Sequence, residues 1–300
     1  MTPVAFHVLP VHRAHAAPIA EGLAVPIYDV QVHRFPDAEV RLTLSGASTT
    51  ALLYLPLDQP NDKLVLLLLA CDALRRSGTQ RIVLVAPYLC YMRQDIAFHP
   101  LEAVSQSAVG RLLSGLVDRV VTVDAHLHRT KHLGAVFPGI EADNLSAMPA
   151  LAAALSQTPL DPATLVVGPD EESEPWVAAL ASPLNLTHAV GHKERLGDHN
   201  VDIRFDEAAL IAGRPVLLVD DIVASGGTMQ TCARKLKSLG ATRIDVVITH
   251  ALFSAALLDD FHLAGIRSAR STTSVPHITN AISLSPVLID ALRRELPKDG

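Results

Sequence analysis

The sequence predicts an open, doubly wound α/β protein of two domains. Three observations carry that expectation. Unbroken Val/Leu/Ile runs alternate with helix-length patterns, which marks parallel strands covered on both faces. The chain has 300 residues, about two ordinary domains. One strand run ends in two aspartates and a loop of small residues, and in open α/β sheets ligands bind beyond the carboxyl ends of the strands.

In chain order, strands are expected over residues 5–9, 51–55, 81–86, 119–123, 164–167, 215–219 and 243–249. Helices are expected over 62–77, 103–116, 173–181 and 227–239. Residues 138–162 lack a strand pattern and carry Pro138, Pro149 and Pro159, so the domain junction is placed near their start, giving domains 1–140 and 141–300. Each half holds a strand that runs into acid, VVTVDAH at 120–126 and VLLVDDI at 216–222, a weak echo of duplication.

Composition narrows the function. Hydrophobic residues make up 49% and charged residues 19%, which excludes a disordered chain. Aromatics are only 4%, so the core must be built from Ala, Leu and Val. With 25 basic and 31 acidic residues the net charge is −6, which speaks against nucleic acid and anionic membranes as partners. Cys71, Cys90 and Cys232 form no CxxC pair, so neither a zinc cage nor a disulfide framework is expected, and a reducing cytoplasm is the simplest compartment. The apolar run 64–71 is too short for a bilayer, which needs about 20 residues. The amino-terminal residues show no signal-peptide pattern.

Residues 216–229, VLLVDDIVASGGTM, carry the strongest chemical signal. A buried strand ends in Asp220 and Asp221, and Ala224, Ser225, Gly226, Gly227 and Thr228 lead into a helix. Small side chains let backbone amides approach an anion, and a helix amino terminus favours negative charge. Ser225 and Thr228 add hydroxyl donors, while the aspartates can accept hydrogen bonds from vicinal sugar hydroxyls. The combination suits a sugar phosphate. No GK[ST] follows the glycines, so this is not a P-loop.

This loop resembles the 5-phosphoribosyl-1-pyrophosphate (PRPP) signature shared by type I phosphoribosyltransferases and PRPP synthetases. Four further segments resemble the synthetases in the same order: RFPDAE at 34–39 (RFxDGE in the family), PYLCYMRQD at 87–95 (PYxxYxRQD), VDRVVTVDAH at 117–126 (ending in DLH) and HKER at 192–195 (KRR). A type I transferase leaves the first two unexplained. The resemblance implies two similar phosphoribosyltransferase-like domains, each a mostly parallel sheet flanked by helices, the first binding ATP and the second ribose 5-phosphate. It implies a Mg²⁺-dependent diphosphokinase that yields PRPP and AMP. Phe35, Asp37 and Glu39 would hold adenine from a neighbouring subunit, so at least a dimer is implied. Arg93, Gln94, Asp95 and His126 would complete the ATP site, with Asp124 near the triphosphate. Lys193 and Arg195, on a mobile loop, would act catalytically with His126. Metal would lie near His126 and Asp170. Asp220, Asp221, Ala224, Ser225, Gly226, Gly227 and Thr228 would bind ribose 5-phosphate.

Each segment also has a plainer reading: a turn at RFPDAE, core aromatics at Tyr88 and Tyr91, a helix cap at Asp124, and an exposed charged loop at HKERLGDHN. The departures from the family pattern are Ala38 for glycine, Ala125 within DAH, Ala224 for an acidic residue, and GPDEES (168–173) for SPDxGG. The acids of that last segment either face the substrate or form the first turn of a helix, where the dipole favours them. Residues 96–105, IAFHPLEAVS, look more like the archaeal form, and SGASTTA at 45–51 lacks the cations of a bacterial phosphate-activation site. A different pentose phosphate as acceptor, and a catalytically weak regulatory homologue, remain open alternatives.

Overall fold

The structure, a computed structural model, describes residues 1–127, 129–158, 160–195, 201–206 and 208–297, the side chains of 193–195, 201 and 202 excepted. The chain divides into two compact units, Met1–Ser146 with Leu284–Gly300, and Ala147–Ser283.

The first unit contains β1 (Thr2–Val8), α1 (Arg13–Gly22), β2 (Ile27–Arg34), β3 (Val40–Leu44), β4 (Ser48–Tyr54), α2 (Pro60–Arg76), β5 (Arg81–Val85), α3 (Ser105–Ser114), β6 (Arg119–Val123) and β7 (Glu141–Leu145). Its seven strands lie in the order β3-β2-β1-β4-β5-β6-β7. All neighbours are parallel except the β2–β3 hairpin. Helix α2 shows why such crossovers form. Pro60 opens it, where a missing N–H costs nothing, and Asp62 and the Arg75–Arg76 pair sit at the dipole ends that favour them. Leu67, Ala70, Cys71 and Leu74 make the buried stripe, packed with Leu53, Ile82, Leu84 and Val120 of the sheet.

The second unit contains α4 (Met148–Ser156), β8 (Leu165–Gly168), α5 (Glu174–Leu184), β9 (Thr187–Val190), β10 (His192–Arg195), β11 (Val201–Arg204), β12 (Pro215–Val223), α6 (Gly227–Ser238), β13 (Arg243–Ala251), α7 (Leu257–Leu263), β14 (Ile266–Thr272) and β15 (Asn280–Ile282). Six parallel strands take the order β15-β14-β13-β12-β8-β9. Strands β10 and β11 form a separate antiparallel ribbon. On one sheet face Val216, Leu218, Val246 and Ile248 pack with Met229, Cys232, Ala233 and Leu236, again an i, i+3, i+4, i+7 stripe. The three cysteines are buried and free. No helix among the described residues is long and apolar enough to cross a membrane.

Two differences from the expected organisation have physical causes. Residues 138–162 hold both an edge strand, β7, and a helix, α4. The strand is polar because it is paired on one side only, and Pro149 starts the helix instead of breaking it. The last helix, α8 (Ser285–Leu292), belongs to the first unit, whereas a division after residue 140 assigns it to the second. It packs on α1, with Ile289 so close over Gly22 that a Cβ there would lie 2.4 Å from Ile289 Cδ1.

An ion network ties this carboxyl-terminal segment to the sheet. Arg119, its side chain 2% exposed, donates from Nε to Asp143 at 2.7 Å and from Nη1 to Glu295 at 2.9 Å. Its Nη2 donates to the Ala291 carbonyl at 3.0 Å. Arg81 donates to Glu295 and Glu141, each at 2.7 Å, and Arg294 donates to Glu141 and Asp143 at 2.5 and 3.2 Å. Three guanidinium groups thus balance three carboxylates. Burial pushes the Glu295 carboxyl up, but Arg81 and then Arg119 outweigh it and hold the group below its ordinary range.

Glu295→Gln should therefore destabilise the chain by about 2 kcal/mol near neutral pH, because buried Arg119 and half-buried Arg81 each lose one of two carboxylate partners, Asp143 and Glu141 remaining. A carboxylate titrating below its unfolded value stabilises at pH above that value, and its contribution is lost as pH falls through the native one. The urea midpoints of wild type and variant should converge from about pH 6 to about pH 3. A constant gap over that range would mean that the Glu295 charge contributes nothing.

Candidate active site

In the second unit the strand order reverses between β8 and β12. At such a reversal the connections leave toward opposite faces and open a crevice beyond the strand ends. Asp170 follows β8, and Asp220 and Asp221 lie within β12, which runs on to Val223 instead of stopping at 219. Asp221 is buried and Asp220 half-buried. Burial pushes the Asp220 carboxyl well above the ordinary range, and the charges of Asp221 and Asp170 push it further. Three of the expected acids are thus electrostatically coupled, a costly arrangement without a cation or a hydrogen-bond donor between them.

The loop from Ala224 to Gly226 is exposed at Ala224 and Ser225. Gly226 caps α6 at φ +74°, and a Cβ there would lie 2.4 Å from Leu257 Cδ2 and 3.0 Å from Phe261 Cε1. Gly227 faces open space, its nearest Cβ neighbour being Ser225 Oγ at 4.0 Å. No side chain caps the helix, so its first amides, from Gly227 and Thr228 onward, are left for an anion. The two glycines therefore have different duties: the first makes the turn, the second keeps the approach clear.

The acids of GPDEES resolve toward the helix-turn reading. Glu171 and Glu172 form a 3₁₀ turn and Glu174 opens α5. Glu171 pairs with His192 at 2.5 Å, and Glu174 with His188 at 3.0 Å. Ser173 is buried against Gly168, which has no side chain to obstruct it.

In the first unit the expected residues fall into two groups. Phe35, Asp37 and Glu39 sit on the β2–β3 turn, closed by Phe35 N donating to Glu39 O at 2.8 Å and Glu39 N donating to Asp37 Oδ1 at 3.2 Å. Ala38 adopts φ +71°, the conformation that suits the glycine of RFxDGE. Phe35 is 39% exposed and stacks edge-on with His33 at 4.7 Å. The other group follows β5 and β6. Gln94 accepts from Ser105 Oγ at 2.6 Å and donates to Glu102 at 2.9 Å. Asp95 accepts from the Arg129 amide and guanidinium at 3.1 and 2.8 Å. Burial pushes the Asp95 carboxyl up, but these Arg129 contacts outweigh it and hold it below the ordinary range. Arg93 is exposed and has no polar partner among the described residues. Asp124 is buried at φ +38°, with no helix for it to cap, and the turn reaching His126 is held by Asn144, which accepts from Ala125 N at 2.8 Å.

Lys193 and Arg195 lie in the backbone of β10 rather than in a loop. Their side chains lie outside the described residues. Asn144 and Arg129 act on residues 19 and 34 positions away, with no local signal. Glu102, which also accepts from Phe98 N and His99 N, stands within the archaeal-like segment and was open to detection. Among the described residues, no group of three or more His, Cys, Asp or Glu is disposed to hold a metal ion.

Two units with mostly parallel sheets flanked by helices, the second bearing a glycine-containing loop at its strand reversal, define a phosphoribosyltransferase-type α/β protein. Family models match residues 6–116, as the N-terminal domain of ribose phosphate pyrophosphokinase, and residues 144–278, as a phosphoribosyl transferase domain. The chain belongs to the ribose-phosphate pyrophosphokinase family. It is 31% identical to the ribose-phosphate pyrophosphokinase of Methanopyrus kandleri, covering 91% of this chain and 93% of that one. The corresponding protein of Thermococcus kodakarensis is 32% identical (88% and 91% covered), and that of Agrobacterium fabrum 30% (94% of each). A crystal structure of phosphoribosylpyrophosphate synthetase from Mycobacterium smegmatis has the same fold, with a TM-score of 0.82 over 97% of this chain and 98% of that one at 22% identity.

Gly226→Ala should lower stability by about 2 kcal/mol or more, from its left-handed backbone and the overlap with α7. Gly227→Ala should stay within about 1 kcal/mol of wild type. Equal losses in urea denaturation would contradict the division of duties. Asp220→Asn should stabilise the unliganded chain by about 1 kcal/mol at pH above its native titration, since it removes a carboxyl whose ionised form burial and two acids oppose. A raised carboxyl costs stability while charged and is relieved as pH falls through its native value, so the gain should shrink on acidification. A destabilised variant would refute the repulsion.

Proposed function

We propose that this chain transfers the β,γ-diphosphoryl group of ATP to the anomeric hydroxyl of ribose 5-phosphate, giving PRPP and AMP. The observation that carries the reading is the loop after β12, in which open helix amides stand next to carboxylates suited to a phosphate and to ribose hydroxyls respectively. The relatives' shared name and the unpartnered Arg93 support the same reading. In it, the first unit holds ATP through Arg93, Gln94, Asp95 and His126, and the second holds ribose 5-phosphate through Asp220, Asp221 and residues 224–228. The ribose 1-oxygen attacks the β-phosphorus, the bond from that phosphorus to the bridging oxygen breaks, AMP leaves with that oxygen, and the hydroxyl proton passes to solvent. Such transfers rest on positioning and charge stabilisation. Arg93, His126, Lys193 and Arg195 are the groups of this chain that donate to the anionic oxygens.

Mg²⁺ takes oxygen ligands and keeps several waters, so Asp170, after β8, would hold it through water in the second unit, and in the first unit His126 would lie near metal. Bound, it would neutralise phosphate charge. The exposed Phe35, Asp37 and Glu39 turn is read as the contribution of a second subunit to the adenine site, so the active species is at least a dimer, working in the cytoplasm. The exposed methyl of Ala224, where the family has an acid, favours a second reading in which the acceptor is another pentose phosphate. The uncharged 45–51 segment favours activity without phosphate activation.

With ATP, Mg²⁺ and a panel of pentose phosphates, the nucleotide product should be AMP, with ribose 5-phosphate the preferred acceptor. ADP with a singly phosphorylated sugar would overturn the reading, and AMP release with another pentose would select the alternative acceptor. Lys193→Ala and Arg195→Ala should each lower kcat tenfold or more, about 1.4 kcal/mol, with smaller changes in KM. Near-normal kcat in both would remove them from catalysis.

A further inference from the structure

We infer that the second unit carries a separate oxyanion site, for a phosphate-class dianion, at the amino-terminal end of its sheet. A cavity of about 310 Å³ lies there, lined by Thr158, Thr164, Arg243, Asp245, Arg267, Ser268 and Arg270 together with apolar residues that include Leu217 near the start of β12. Leu217 and Ser225 are eight residues apart along and just beyond one strand, so the cavity is roughly 25 Å from the sugar-phosphate loop. Its volume is at the small end of ligand cavities, about 300–1,000 Å³.

The charges do not balance. Three arginines face one carboxylate, and that carboxylate is saturated. Arg267 forks onto Asp245 at 2.9 and 3.0 Å, Ser268 Oγ donates to it at 2.5 Å, and Arg243 Nε stands 3.1 Å from it. Arg243 Nε is nevertheless buried without a hydrogen bond of acceptable geometry. The Thr164 hydroxyl, on a residue 2% exposed, also has no partner. Arg270 is half-buried, and its guanidinium has no hydrogen bond or ion pair among the described residues. Buried polar groups are nearly always satisfied, by protein or by something bound. Here two unsatisfied buried groups and one free guanidinium line the same cavity, and the surplus is two positive charges. A dianion with several acceptor oxygens supplies what is missing. Guanidinium groups pair with phosphate oxygens through charge-assisted hydrogen bonds, which neutral ligands cannot match.

The register of the sheet explains why the groups converge. Asp245 pairs with Ser268 and Val247 with Arg270 across β13 and β14, and an irregularity at Ile244/Asp245 places Arg267 as the extra residue between Ile266 and Ser268. That extra residue lets Arg267 fork onto Asp245 and leaves Arg270, two residues past Ser268, for the cavity.

The test is calorimetric titration of the full chain at fixed ionic strength, with inorganic phosphate in one arm and glycerol 3-phosphate in the other. Wild type should show two classes of phosphate site. Arg270→Gln should weaken one class about tenfold or more, Arg270→Lys should retain most of it, and ribose 5-phosphate turnover should be unchanged in both variants. Thr228→Val should weaken only the other class. Preference of the Arg270-dependent class for inorganic phosphate or for the ester identifies the source of the anion, and either supports the site. Phosphate isotherms identical in wild type and Arg270→Gln, with the variant melting as wild type does, would overturn it.

Discussion

Burial of the parallel strands on both faces is the constraint from which the rest follows. Strands β12 and β13 are almost wholly buried along their length, and their acids, Asp220, Asp221 and Asp245, stand toward the strand ends. Each expected acid of the second unit obeys this. Asp170 follows β8, and Asp220 and Asp221 lie in the last four residues of β12 on the other side of the strand reversal. The first unit uses the same rule differently. Its strand order reverses between β1 and β4, but that region holds His12, 3% exposed, beside Tyr54 and the Lys63–Asp58 ion pair. Burial and then the Lys63 charge lower the His12 pKa to about 4, so the ring is neutral and acts as filling. The expected nucleotide residues of this unit instead follow β5 and β6.

The candidate site is paid for in stability. Asp220 sits where its ionised form is opposed by burial and by neighbouring acids, and Gly226 holds a turn that other residues would strain. Such features persist only where the surrounding structure overrides them. Here the surroundings are the α6 stripe packed on β12 and β13, and α7 closing over Gly226. In the first unit the same role falls to ions: Arg119, Arg81 and Arg294 clamp the carboxyl-terminal segment to the sheet, and the segment in turn covers α1.

Much of this was legible in the sequence, for identifiable reasons. Continuous apolar runs located the buried strands, because burial on both faces erases alternation. The 216–229 loop was legible because its chemistry is local. What escaped was set by partners distant in sequence. The polar edge strand β7 has no apolar signature. Arg119 and Glu295 are 176 residues apart, and nothing near either announces a pair. The histidines that pair with Glu171 and Glu174 come from β10 and from β9, so the surroundings of GPDEES could not be judged from its own residues.

The most direct test of the account is where ribose 5-phosphate touches the chain. Hydrogen exchange of the full chain, with and without ribose 5-phosphate and Mg²⁺, should show protection concentrated at the amides from Ser225 to Met229 and at the end of β8, with the first unit unchanged. Protection confined to the first unit, or none at the start of α6, would contradict the assignment of the sugar phosphate to this loop.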